Sequence, residues 1–190
     1  TEIAATIKRA DSRDVLIFKK SSFKKKKLEI FTSSPRRKEN LSNFLKKAIP
    51  FKIDSLSFSD IRGNILTRVE KLKGSNADGL VIAKAALDRL LSPYAGITNE
   101  LDSFKKNLEE FLWMVIPCSQ NPCAPGQGAL AIEVKSGNKR VIKLLNEIND
   151  LDVFENVEDE REKLKKYGGG CHQKIGISIE NRPLGKIITE

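Results

Sequence analysis

The chain has 190 residues, of which 39% are hydrophobic and 31% charged, a composition that excludes a disordered chain and allows one large domain or two small ones. No apolar run approaches the roughly 20 residues that a membrane-spanning helix needs, so we expect no membrane partner, and we expect no signal peptide at Thr1. The formal net charge of +9 favours an anionic partner without identifying it.

In chain order, the hydrophobic pattern predicts strands that alternate with helices. Strands are expected at residues 1–7, 15–18, 28–31, 51–59, 78–83, 113–116 and 129–134, and helices at 35–48, 65–73, 85–91, 99–112, 138–149 and 158–166. Residues 174–180 and 186–189 are expected to form a closing hairpin. This alternation predicts an α/β sandwich with a mainly parallel sheet.

The stretch from Leu28 to Leu45 contains the clearest local signal. An apolar strand ends in Thr-Ser-Ser, and Pro35 follows a hydroxyl that can act as the helix N-cap. The positive end of the helix dipole, together with Arg36 and Arg37, would form a receptor for carboxylates or phosphates. This stretch alone equally allows a solvated helix start with two surface arginines.

Three predicted strands end in polar or basic residues. In a parallel sheet the carboxyl ends of the strands meet at one edge, where ligands bind. Ser34, Arg36, Arg37, Arg62, Arg68 and Arg89 would then converge on one cleft. Arg62 and Arg68 can face the same side if their helix starts at Arg62, although Arg68 or Arg89 taken alone reads more simply as an exposed helix charge. A ligand with several carboxylates fits such a cleft.

The three cysteines are Cys118, Cys123 and Cys171. Their odd number and uneven spacing argue against a disulfide framework and favour the cytoplasm. Their spacing also lacks the paired ligands of a zinc site, even with His172, so we expect no metal.

Six motifs, in order along nearly the whole chain, resemble those of the porphobilinogen deaminase (hydroxymethylbilane synthase) family. They are Thr32-Ser33-Ser34-Pro35-Arg36-Arg37, Ile61-Arg62-Gly63-Asn64 with Thr67-Arg68, residues 78–90 (DGLVIAKAALDRL), residues 125–133 (PGQGALAIE), Glu160-Arg161, and Gly169-Gly170-Cys171-His172 with Ile175-Gly176.

The resemblance implies a transferase of tetrapyrrole (heme) biosynthesis that joins four porphobilinogen units into hydroxymethylbilane and releases ammonia. It implies a dipyrromethane cofactor attached by a thioether to Cys171. It also implies that Ser34, Arg36, Arg37 and Arg68 bind the cofactor and that Arg62, Arg68 and Arg89 bind the substrate. The complete enzyme is expected to be a monomer.

The resemblance also implies a partial chain. Residues 1–10 would close the first half of domain 1, residues 11–122 would form domain 2, a lobe like those of periplasmic binding proteins, residues 123–150 would return to domain 1, and residues 151–190 would open a truncated domain that carries the cofactor cysteine. The catalytic aspartate of the family would lie upstream, and Asp11 and Asp14 match only the connector between domains. We therefore expect no catalytic residue in this chain and no turnover by it alone. Smaller departures are Lys174 in place of proline, Ala86 in place of glycine, and the additional Cys123.

Two other functions remain open at this stage. The arginine cleft could belong to a polycarboxylate-binding module without catalysis, which would have no use for a modified Cys171. Nucleic-acid binding is suggested by the charge and by the lysines at 24–27, but only 6% of the residues are aromatic and no nucleic-acid motif is present. We therefore expect no nucleic-acid partner.

Overall fold

The computed structural model describes residues 1–96, 98–169 and 173–190. The strands are β1 (Glu2–Thr6), β2 (Asp14–Lys19), β3 (Lys27–Phe31), β4 (Ser55–Ser59), β5 (Gly79–Ala83), β6 (Phe111–Ile116), β7 (Ala131–Val134), β8 (Ser178–Arg182) and β9 (Gly185–Thr189). The helices are α1 (Pro35–Ala48), α2 (Ile65–Lys73), α3 (Lys84–Leu91), α4 (Asn99–Leu108), α5 (Lys139–Leu145) and α6 (Leu151–Lys166). In these ranges no helix combines the length and the apolar character needed to cross a membrane.

The largest sheet has the strand order β4-β3-β5-β2-β6. β3 is parallel to both β4 and β5, whereas β2 is antiparallel to both β5 and β6. Four of its five strands therefore run in one direction, and the prediction of a mainly parallel sheet is wrong only for β2. Only residues 20–26, which contain no α-helix, connect β2 to β3, so the crossover that a parallel connection requires is absent here.

Helices cover both faces of this sheet, which confirms the α/β class. Val15 and Ile17 of β2 pack with buried residues of α2, α3 and α4. Leu16 and Phe18, which alternate with them, pack with α1 on the opposite face. β2 is thus a central strand that is apolar on both faces.

Three helix boundaries differ clearly from the prediction, and one of them is the end of α5 at Leu145 rather than at residue 149. Helix α4 ends at Leu108 rather than at residue 112, and Phe111 begins β6. Phe111 nevertheless joins the same core cluster as Phe104 and Leu108, so the apolar spacing continues across the turn and suggested a longer helix. Helix α6 begins at Leu151 rather than at residue 158, because Asp150 caps it by accepting a hydrogen bond from Val153 N.

A second, smaller unit contains the antiparallel pair β1–β7, helices α5 and α6, and the hairpin β8–β9. Two stretches connect it to the large sheet, residues 7–13 and residues 117–130, which we call the crossing segments. They touch each other where Ala10 N donates to Gly128 O over 2.9 Å. Gly128 has a φ of +84°, and a Cβ at this position would lie 2.6 Å from Ala10 O.

Gly128→Ala should therefore destabilise the chain by more than backbone strain alone. Strain at a positive φ costs about 1–3 kcal/mol, and here the added methyl group must also push the crossing segments apart. Gly137 is the matched control, because its φ is +78° and its Cβ would meet nothing within 4 Å. Urea unfolding should show a larger loss for Gly128→Ala than for Gly137→Ala, and equal losses would contradict the close approach.

Candidate functional site

The segment between β3 and α1 forms part of the wall of the candidate site. Ser34 caps α1, since its Oγ accepts from Arg37 N over 3.4 Å, and Pro35 is the first helical residue. The neighbouring Ser33 Oγ accepts from Ile61 N and donates to Ile61 O, each over 2.8 Å. This one hydroxyl ties the end of β3 to the segment after β4. The predicted N-cap and the predicted meeting of strand ends are both confirmed.

A cleft of about 470 Å³ lies next to this segment. Its polar lining consists of Ser33, Ser34, Arg36, Arg37, Arg68, Gln127, Arg161 and Gln173. Four of these side chains are guanidinium groups, and none of the described lining residues is acidic. Such a lining attracts anions, and guanidinium groups can hold carboxylates by paired hydrogen bonds.

Asp14 holds the two arginines of the motif at the cleft. Its carboxylate is 0% exposed. Oδ2 accepts from Arg36 Nη2 and from Arg37 Nε, each over 2.9 Å, and Oδ1 accepts from Arg37 Nη2 over 2.6 Å. Arg36 is itself only 4% exposed. These contacts exclude the alternative of two solvated surface arginines.

The remaining partners of Asp14 come from the second crossing segment. Asn121 Nδ2 donates to Oδ2 over 2.7 Å, and Gln127 Nε2 donates to Oδ1 over 2.9 Å. Burial alone would raise the pKa of this carboxyl, but Arg37 and Arg36 together lower it from 3.8 to about 2. Asp14 is therefore a carboxylate throughout the physiological pH range.

The depressed pKa of Asp14 predicts a specific acid sensitivity. A carboxyl whose pKa is lower in the folded chain stabilises it above pH 4, and this contribution is lost as the pH falls from about 4 to 2. A shift from 3.8 to about 2 corresponds to about 2 kcal/mol. The difference in unfolding free energy between the wild type and Asp14→Asn should therefore shrink by about 2 kcal/mol between pH 5 and pH 2. If the difference in unfolding free energy between the two proteins does not change with pH, the lowered pKa of Asp14 is contradicted.

The other predicted arginines separate into two groups. Arg68 lines the cleft, and its Nε donates to Gly63 O over 2.7 Å. Burial lowers its pKa, and the nearby charges of Arg37 and Arg62 lower it further. Arg62 is exposed and precedes α2, which begins at Ile65 after the Asn64 cap as predicted, so the condition under which Arg62 and Arg68 would face one side of the same helix is not met. Arg89 is exposed on α3 and is not among the residues that line the cleft.

Of the three cysteines, Cys171 lies outside the described residues, as does His172. Their neighbour Gln173 lies in the cleft wall. Cys123 is buried, and burial together with the Glu160 carboxylate raises its pKa to about 11. Cys123 therefore stays a thiol at neutral pH and is a poor nucleophile.

Sequence reasoning missed the contributions of Asp14 and Arg161. Asp14 carried one usable signal, an acidic residue directly before an apolar run of strand residues. Because β2 is antiparallel to β5, Asp14 pairs with Ala83, and the start of β2 meets the edge where β3 and β5 end. Arg161 belongs to a motif of the sequence, but its position in the lining of the cleft depends on the packing of α6.

Comparison with known proteins connects this cleft to a family. Residues 1–143 match the family model described as "Porphobilinogen deaminase, dipyromethane cofactor binding domain". The chain is 35% identical to the porphobilinogen deaminase of Caldicellulosiruptor saccharolyticus over 179 residues, which cover 93% of this chain and 53% of that protein. It is 32% identical to the porphobilinogen deaminase of Prochlorococcus marinus over 191 residues, 96% of this chain and 53% of that protein.

An archaeal protein from Sulfurisphaera tokodaii, named probable porphobilinogen deaminase, is 31% identical over 179 residues, 94% of this chain and 53% of that protein. The chain thus spans about half the length of the curated relatives that it matches. The family model covers well over half of the chain, and it describes the domain that binds dipyrromethane. On this evidence the chain belongs to the porphobilinogen deaminase family.

Proposed function

We propose that this chain forms the part of a porphobilinogen deaminase that binds the carboxylate side chains of dipyrromethane and of the incoming substrate. The whole protein would join four porphobilinogen units into hydroxymethylbilane and release ammonia. The observation that carries the proposal is the cleft with four guanidinium groups and no acidic side chain among its described lining residues.

The residues of the cleft suit dipyrromethane. Each pyrrole ring carries two carboxylates, and charge-assisted hydrogen bonds contribute about 1.5–3 kcal/mol each. In this proposal Ser34, Arg36, Arg37 and Arg68 hold the cofactor, and Arg62, Arg68 and Arg89 hold the substrate. When bound, dipyrromethane supplies the pyrrole ring to which the next unit is joined.

Cys171 is proposed as the attachment point of the cofactor through a thioether. Consecutive glycines precede it in the sequence, and glycine lets the backbone adopt turns that other residues resist. Gln173, two residues later, lines the cleft. The buried thiol of Cys123 is a poor competitor for this role, because its pKa is raised to about 11.

The remaining parts of the proposal concern the whole protein. Residues 11–122 would form a lobe like that of a periplasmic binding protein, residues 1–10 and 123–150 would belong to domain 1, and residues 151–190 to the domain of the cofactor cysteine. The catalytic aspartate would come from a segment outside this chain, which alone would bind without turnover. We further propose a monomer that works in the cytoplasm.

Isothermal titration with a free dipyrromethane that bears acetate and propionate side chains tests the binding proposal. We expect binding that weakens as salt is added, since exposed charge interactions are screened, and no binding of the corresponding methyl ester. Equal affinity for the acid and the ester would overturn the proposal, because the arginines would then have no role.

Intact-mass spectrometry of the whole protein, which would include the catalytic aspartate and could build its cofactor, tests the attachment. An adduct of dipyrromethane size should be present in the wild type and in Cys118→Ser, and absent in Cys171→Ser. The same measurement decides against the alternative, a polycarboxylate-binding module without catalysis, because a simple binder would carry no adduct at Cys171.

A further inference from the structure

We infer that Asp14 is a positioning residue for the carboxylate site: it fixes the guanidinium groups of Arg36 and Arg37 between the sheet and the second crossing segment and leaves their remaining N–H donors for the ligand. This inference rests on the proposed function. It assigns a role in ligand binding to an acidic residue that is itself not among the residues lining the cleft.

Arg36 and Arg37 both keep hydrogen-bond donors that can bind a ligand. A guanidinium group has five N–H donors. Arg36 uses three of them, two from Nη1 to Asn121 Oδ1 and Pro122 O and one from Nη2 to Asp14. Arg37 also uses three, on the two oxygens of Asp14 and on Val81 O. Within the described chain, two donors of each arginine remain for a ligand in the cleft that both line.

The hydrogen bonds of this network also hold both arginine side chains rigidly. Arg36 is held by β2 and by the second crossing segment, and Arg37 is held by β2 and by β5, through Val81 O. Among the residues that the structure describes, Asp14 is the one partner that both arginines share, and Asn121 and Gln127 fix its carboxylate in turn. Long side chains that are already ordered lose less freedom when a ligand binds. The network therefore pre-organises the site.

The net charge of the Asp14, Arg36 and Arg37 cluster also favours an anionic ligand. One carboxylate faces two guanidinium groups, so the cluster keeps a net positive charge and still attracts an anion. Without the carboxylate, two like charges would face each other in a buried site, an arrangement that proteins avoid unless the charges are paired. Replacing Asp14 with asparagine should therefore make the cleft more positive but less ordered.

A competing role predicts effects of the opposite sign. Asp14 could instead act as an internal competitor that occupies guanidinium donors which the ligand needs. Removal of a competitor would tighten binding, whereas removal of a positioning residue would weaken the binding of a ligand that needs several donors in fixed places. The two roles are therefore distinguished by the direction of the change.

The experiment compares two probes, the free dipyrromethane with acetate and propionate side chains and inorganic sulfate, by titration of the wild-type chain and of Asp14→Asn. We expect Asp14→Asn to weaken dipyrromethane binding at least tenfold while sulfate binding is unchanged or tighter. Asp11→Asn is the matched control, because Asp11 lies in the other crossing segment, pairs with the exposed Arg13, and does not line the cleft. It should bind both probes as the wild type does.

Tighter binding of both probes would overturn the inference in favour of the competitor. Unchanged dipyrromethane binding would overturn it, and so would loss of both probes by a variant that remains folded by circular dichroism. If Asp14→Asn does not fold, Asn121→Ala tests the same network without changing a charge, and it should weaken dipyrromethane binding about threefold to tenfold. A wild-type chain that does not bind dipyrromethane would overturn the proposed function itself, which is a separate result.

Discussion

Replacing Glu160 with glutamine should lower the free energy of unfolding by about 3–5 kcal/mol, the range found when one partner of a buried ion pair is removed. Glu160 is 0% exposed. Its two oxygens face Arg9 Nη1 and Nη2 over 2.6 and 3.0 Å. They also accept from Ile179 N over 2.8 Å and from Gly126 N over 2.7 Å. The amide nitrogen of glutamine cannot accept any of these bonds, so buried donors would lose their acceptor.

Urea unfolding measures this loss, and Glu155→Gln, an exposed position on the same helix, is the control and should change the unfolding free energy by less than about 0.5 kcal/mol. The double variant Arg9→Met with Glu160→Leu should recover only part of the stability, since it leaves no buried charge unpaired but still leaves Gly126 N and Ile179 N without an acceptor. A loss below about 1 kcal/mol for Glu160→Gln would show that water reaches the pair.

This ion pair explains how the second unit is attached to the rest of the chain. Arg9 belongs to the first crossing segment, Gly126 to the second, Glu160 to α6, and Ile179 to β8. One carboxylate thus joins four segments that are distant in sequence. α6, which brings Arg161 to the cleft, is fixed against both crossing segments by this contact.

The local features of the site could be predicted from the sequence because they depend on neighbouring residues. The Ser34 cap, Pro35 at the helix start and the buried strand before them follow from side-chain chemistry within one turn. The meeting of Ser34, Arg37 and Arg68 at one edge also followed, since parallel strands end on the same side of a sheet.

The partners of the arginines could not be predicted, because they depend on the strand order. Asp14 reaches Arg36 and Arg37 only because β2 lies between β5 and β6 and runs antiparallel to them. A strand in the predicted parallel direction would place Asp14 at the opposite edge of the sheet. The position of Arg161 could not be predicted for a different reason, because it depends on where α6 packs rather than on the helical pattern of α6 itself.

Arg37→Lys should weaken the binding of the free dipyrromethane about 10- to 100-fold, which corresponds to the loss of one charge-assisted hydrogen bond worth about 1.5–3 kcal/mol. Lysine keeps the charge but lacks the planar fork with which Arg37 holds both oxygens of Asp14. It would also leave the bond to Val81 O unmade. Arg13→Lys is the matched control, because the Nε and Nη2 atoms of Arg13 donate to both carboxylate oxygens of Asp11 in the same bidentate way, at an exposed position away from the cleft. Titration should show a lower affinity for dipyrromethane in Arg37→Lys and an unchanged affinity in Arg13→Lys. If both variants bind dipyrromethane as the wild type does, charge alone governs binding in the cleft, and the fixed geometry of Arg37 has no part in recognition.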